Sequence, residues 1–217
     1  MIERDSWDCW ALLLIDAQRA FWTTGHRRAF PGFQRNVEQL LSFCRSRKIE
    51  VLHVHSRFSA DRSDWLPAYK LRGSIPCIAG DAGTEPLPFS LPAAGEPVFR
   101  KTTFDAMGAD GLEERLRTRG KRILLIAGLE TSFCVFLTAA AAGQRSFLPI
   151  LVEDACADDP EFPPEATRRF LGRYQDRVLW VRSLESVIAE KDGWQARTQA
   201  LETAAAKPSR DLVPVAG

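Results

Sequence analysis

Short apolar runs alternate along this chain with segments whose apolar residues recur at a helical period, the pattern of an α/β domain. Trp10-Ala-Leu-Leu-Leu-Ile15 is apolar without a break, which predicts a strand buried on both faces. Between Asn36 and Lys48, residues Val37, Leu40, Leu41 and Cys44 follow the i, i+3, i+4, i+7 spacing of an amphipathic helix. Ile49–His55 reads as a second strand and Pro97–Arg100 as a shorter third. Leu112 and Leu116 stand one turn apart in a helix over Asp110–Arg119, with Gly120 placed to stop it. Ile123–Ala127 is the clearest buried strand, followed by an alanine-rich helix from about Ser132 to Ala142 that ends at Gly143. Phe147–Val152 is a fifth strand, and the Pro163-Pro164 pair opens the next helix, since proline tolerates a helix's first turn. Val178–Val181 is a sixth strand, and a closing helix starts at Leu184.

The stretch 58–96 breaks this rhythm with five prolines and four glycines, and reads as a long irregular loop of the kind that usually carries function. One domain over residues 1–202 is expected, with 203–217 as a C-terminal tail. Strands joined by helical crossovers predict a three-layer, doubly wound sheet of about six parallel strands, in the order 3-2-1-4-5-6. In such a sheet strands one and four are neighbours, and ligands bind outside their carboxyl ends. The chemistry is therefore expected just after Ile15 and just after Ala127.

Composition narrows the field. A chain of 217 residues buries roughly 70% of its unfolded surface and needs no covalent staples. Apolar residues at 45% and charged residues at 26% exclude a disordered or fibrous chain. With 29 Lys and Arg against 28 Asp and Glu, no electrostatic case exists for a nucleic acid or an anionic membrane. Five cysteines without a C-x-x-C pair argue against a disulfide framework or a zinc site. Met1–Cys9 carries three acidic residues before any apolar run, unlike a secretory signal, and the apolar stretches are too short to cross a bilayer. A cytoplasmic protein is the expectation.

At the two expected positions stand Asp16 and Cys134. A thiol in the first turn of a helix meets unpaired backbone N–H groups and the positive dipole end, which should lower its pKa. The same N–H groups can hold an oxyanion.

These residues carry a resemblance. Ala11-Leu-Leu-Leu-Ile-Asp16-Ala-Gln18-Arg-Ala-Phe21 resembles the opening motif of the isochorismatase-like cysteine hydrolases. Val98-Phe-Arg-Lys101-Thr-Thr-Phe-Asp-Ala106 resembles that family's second motif, and Gly128-Leu-Glu-Thr131-Ser-Phe-Cys134-Val135 its nucleophile motif. Leu151-Val-Glu-Asp154-Ala155 resembles its acidic segment after strand five, and the match runs in order from about Trp10 to Arg182. The resemblance implies a catalytic triad of Asp16, Lys101 and Cys134. It also implies a cis peptide at Leu129-Glu130, with the Glu130 and Cys134 N–H groups forming the oxyanion hole. The implied activity is hydrolysis of a C–N bond in a small amide, carbamoyl or ureido compound through a thioester, without a cofactor and in a homo-oligomer.

The metal-binding Asp-Trp-His run of the family's nicotinamidases is replaced here by His53-Val-His55-Ser-Arg57, so no metal is expected, and the histidines are read as packing or hydrogen-bonding. Phe21, Trp22, Trp65, Phe104 and Phe133 are candidate pocket walls, and Arg57 a candidate clamp for a substrate carboxylate. Two other functions fit an α/β sheet. A nucleotide-binding module would need a Gly-x-Gly-x-x-Gly turn where Asp16-Ala-Gln18 stands. A catalytically silent relative would not need all three triad residue types.

Overall fold

In a computed structural model, residues 6–162 and 164–206 are described. Their strands are β1 (Trp10–Ile15), β2 (Glu50–Ser56), β3 (Val98–Lys101), β4 (Ile123–Leu129), β5 (Leu148–Ala157) and β6 (Trp180–Arg182). The helices are α1 (Thr24–Ala29), α2 (Phe33–Ser46), α3 (Pro67–Arg72), α4 (Leu112–Thr118), α5 (Phe136–Gln144), α6 (Pro164–Gly172), α7 (Leu184–Ala189) and α8 (Lys191–Ala206). The strands form one six-stranded sheet in the order β3-β2-β1-β4-β5-β6, and every pairing is parallel. This is the expected doubly wound order. Every residue of β1 and β4 is buried, because helices cover both faces of the central strands.

Boundaries differ from expectation where packing overrides local pattern. β5 runs through Ala157 because a bulge intervenes: Ile126 pairs with Leu151, but Gly128 pairs with Cys156. The acidic segment thus lies inside the strand, where Asp154 accepts from Leu184 N with both oxygens at 3.2 Å and fixes the start of α7. Gly143 lies inside α5 and does not end it. A Cβ there would stand 2.5 Å from the Val178 carbonyl oxygen, so glycine lets the helix approach the loop before β6. α1 is absent from the hydrophobic pattern because six residues are too few for one; a Thr23–His26 capping box starts it.

The loop 58–96 is less irregular than expected, holding α3 and two short 3₁₀ turns. It is stitched to the segment after Asp16 by Arg19 N donating to Glu85 O (2.9 Å), Leu87 N to Ala17 O (2.8 Å) and Gln18 Nε2 to Thr84 O (2.8 Å). No described helix is long and apolar enough to cross a membrane. Pro163 and residues 207–217 of the expected tail lie outside the described residues; 203–206 continue α8.

Candidate active site

β1 delivers Asp16, β3 delivers Lys101, and the turn after β4 delivers Cys134, all at the carboxyl edge of the sheet. Asp16 takes a left-handed φ of 49°, a conformation that aspartate tolerates better than most residues. Its Oδ1 accepts from Ser56 N at 2.8 Å. Gln18 grips the same residue, accepting from Ser56 N (2.9 Å) and donating to Ser56 O (3.0 Å), so the β1 and β2 exits are locked together.

Lys101 is 2% exposed and Asp16 1%, yet both are paired. Lys101 Nζ lies 2.7 Å from Asp16 Oδ2, and it donates to Ser56 Oγ (2.9 Å), Thr103 O (3.0 Å) and Cys134 Sγ (3.5 Å). Burial works against the Lys101 ammonium, but Asp16 and Cys134 beside it outweigh burial and raise its pKa, so it stays charged. Asp16 Oδ2 has the ammonium beside it and, among the described residues, no aligned hydrogen-bond donor. That oxygen keeps a lone pair able to take a proton, and the Lys101 ammonium it faces also holds the Cys134 sulfur.

Cys134 does not sit in a regular first helical turn. Residues Thr131–Val135 form a wider π-helical turn, in which Phe133 N and Val135 N both donate to Glu130 O (3.1 and 3.2 Å). Asp158, 1% exposed, anchors this turn: it accepts from Ser132 N (3.1 Å), Ser132 Oγ (2.9 Å) and Thr167 Oγ1 (2.8 Å). The expected acidified thiol is corrected here. Burial and the Asp16 carboxylate raise the Cys134 pKa and outweigh the lowering by Lys101. The peptide Leu129–Glu130 is cis.

The other sequence candidates scatter. Phe133 is 48% exposed and meets Phe104 edge to face at 4.9 Å, so these two stand together beside Cys134. Phe21 is half-buried, packed between the main core and a small cluster of Phe58, Trp65 and Cys77. Trp65 is buried in that cluster with its indole N–H on Ser59 O (2.7 Å). Trp22 is likewise buried, packed on Phe33 at 4.7 Å. Trp65 fills the loop layer, whereas Trp22 also lines a surface cavity with Arg19, Arg27, Leu87 and Phe89. Arg57 is exposed, held by its backbone N–H on Lys101 O (3.2 Å).

Two residues near the thiol escaped the sequence reading. Tyr69 packs on Phe104 at 6.0 Å, and its pKa is raised by burial and by Cys134. It sits in a six-residue helix with no apolar period to mark it. Asp158 carries no signal either, because only the β5 bulge brings it to Ser132. His53 Nε2 lies 2.9 Å from Glu96 Oε2, and Arg45 also pairs with Glu96. Among the described residues no group of three or more His, Cys, Asp and Glu side chains could hold a metal ion.

A parallel sheet whose switch point holds one ammonium in contact with both a thiol and a carboxylate defines a switch-point α/β enzyme. The chain belongs to the isochorismatase family of hydrolases: the family's Isochorismatase domain matches residues 10–186. A maleamate amidohydrolase from Pseudomonas putida is 29% identical over 163 residues, covering 72% of this chain and 76% of that protein. An isochorismatase family protein from Desulfovibrio vulgaris superposes with a TM-score of 0.74 at 29% identity, covering 88% of this chain and 100% of that one. N-carbamoylsarcosine amidase from Thermoplasma acidophilum superposes with a TM-score of 0.63 at 26% identity, covering 80% and 95%.

Proposed function

We propose that this chain is a cysteine-dependent amidohydrolase that cleaves a C–N bond of a small amide, carbamoyl or ureido compound through a Cys134 thioester. The observation that carries this reading is the single ammonium of Lys101 lying 2.7 Å from the Asp16 carboxylate and 3.5 Å from the Cys134 sulfur. The names of two relatives, a maleamate amidohydrolase and an N-carbamoylsarcosine amidase, support C–N cleavage.

The resting sulfur is a thiol, so a base must act during attack. Asp16 takes the proton as sulfur bonds to the carbonyl carbon and the carbonyl electron pair moves to oxygen. The Glu130 and Cys134 N–H groups receive that oxyanion. Its collapse breaks the C–N bond, and the nitrogen leaves with the proton held by Asp16. Asp16, again a carboxylate, then deprotonates water for attack on the thioester. The second collapse expels the sulfur, which recovers the proton, and the acid departs. Lys101 remains an ammonium throughout, holding Asp16 and sulfur in one geometry and offsetting negative charge at both.

Ammonia release across a panel of amides, carbamates and ureido acids tests the reading, with Cys134→Ala as control. Turnover abolished in a folded Cys134→Ala protein, and an acyl adduct on Cys134 seen by intact mass, are expected. A Cys134→Ala protein that still releases ammonia would sink it.

A further inference from the structure

Beyond the triad, a second polar pair stands at the nucleophile turn. Glu130 opens that turn, and its side chain is 30% exposed. His26, buried in α1, directs Nε2 toward it, 3.7 Å from Glu130 Oε1. That separation is too long for a hydrogen bond, and among the described residues Nε2 is a buried atom with no partner.

The tautomer of His26 follows from its other nitrogen. Nδ1 lies 3.3 Å from Thr23 N, a backbone donor, and 2.8 Å from Thr23 Oγ1, so Nδ1 is an acceptor and a neutral ring carries its proton on Nε2. Burial lowers the His26 pKa, which keeps the ring neutral. The pair therefore offers an unmet N–H donor beside a carboxyl group.

The charge around the pair is negative. Asp159, Asp158 and Asp16 all act on Glu130, and no described lysine or arginine lies within ion-pair distance of it. Burial with those three carboxylates pushes the Glu130 carboxyl up to about 7. Glu130 O also accepts from Phe133 N and Val135 N, the two residues flanking Cys134, so the pair stands at the base of the nucleophile turn, and the Phe133 ring continues through Phe104 into Tyr69.

Taking the thioester reading as given, we infer that His26 and Glu130 form the far end of the substrate site and select an uncharged amide or ureido group there instead of a carboxylate. Such a group has a carbonyl to accept from His26 Nε2–H and an N–H to donate to Glu130. A carboxylate has only acceptors, so it leaves Glu130 facing like charge with no proton to share unless Glu130 is itself protonated. This departs from what a maleamate amidohydrolase acts on, since maleamate ends in a carboxylate.

The test compares matched pairs of one chain length: succinamide with succinamate, and maleamide with maleamate. The wild-type protein should show kcat/KM at least about 10-fold higher for the diamides. That ratio should widen as pH rises through 7, because an ionised Glu130 repels the carboxylate more. Glu130→Gln should shrink the ratio toward 1 and remove its pH dependence. Calorimetric binding of each pair to the Cys134→Ala protein reads the same preference without turnover, so loss of catalysis and loss of selectivity are separable. Equal or tighter binding of the half-amides, a ratio unmoved by Glu130→Gln, or half-amide preference lost in Arg57→Ala would each overturn the inference. The wild-type pH series serves if the Glu130 variant fails to fold.

Discussion

A Cβ on Gly128 would stand 1.9 Å from the carbonyl oxygen of Ile15. β1 and β4 approach so closely at the switch point that only a hydrogen fits, and Gly128 also holds a φ of 123° that other residues rarely adopt. Ile15 is followed directly by Asp16, so this contact sets where the carboxylate leaves the sheet. Gly128→Ala is expected to destabilise the fold by about 3 kcal/mol and to lower turnover in whatever protein remains folded. Urea unfolding with parallel activity measurements checks both.

Lys101 is the only charge partner of Asp16 among the described residues. Lys101→Met leaves a carboxylate that is 1% exposed without compensation, which should cost about 3–5 kcal/mol of stability. The same change removes the one influence that lowers the Cys134 pKa. Alkylation of Cys134 by iodoacetamide, expected to be slow at pH 7 because burial and Asp16 raise the thiol pKa, should shift to still higher pH in the variant. A Cys134 in the wild-type protein that alkylates fully below pH 7 would contradict the raised thiol.

Asp158 acts through Ser132, two residues before the nucleophile, and among the described residues no hydrogen bond ties it to the sulfur or to the Lys101 ammonium. It is a positioning residue. Asp158→Ala should lower kcat by about 100-fold with a smaller change in KM, because a shift of about 1 Å in the sulfur is enough. Asp158→Asn, which keeps one acceptor oxygen, should restore part of kcat.

Glu130 and His55 pull stability in opposite directions with pH. Glu130 has a folded pKa of about 7, above its ordinary 4.5, so the folded protein holds that proton more tightly and loses stability as pH rises through this window. His55 is lowered by burial and by His53 to about 4, from 6.5, so its contribution is present above 6.5 and lost as pH falls toward 4. The two partly cancel in the wild-type protein. Glu130→Gln should therefore expose a steeper loss of stability on acidification below pH 6.5, measured as thermal midpoint against pH. An unchanged pH profile would mean that Glu130 titrates normally.

The legible part of this protein is the part written locally. β1 and β4 are buried on both faces, and each stands out as an apolar run without a polar residue, Trp10–Ile15 and Ile123–Ala127. Asp16 and Cys134 are marked by their position after strands and by motif resemblance, Lys101 by the resemblance alone, and the structure sets the Lys101 ammonium against both of the others. Trp22 and Trp65 show what residue type leaves open. A large aromatic in a loop near the site suits a pocket wall or a core equally; here both are mostly buried, and Trp22 still lines a surface cavity. Tyr69 and Asp158 left no trace, because their placement depends on the path of the 58–96 loop and on a bulge in β5.

By itself the sequence determined the strand order, the edge of the sheet where chemistry would lie, and the residue types that would meet there. Only the tertiary structure decided the direction in which the thiol pKa is pushed, the anchoring of its turn and the orphaned donor on His26. The difference is physical: apolar continuity and crossover handedness are properties of a segment, whereas a pKa or a hydrogen bond depends on what distant segments remove from water around it.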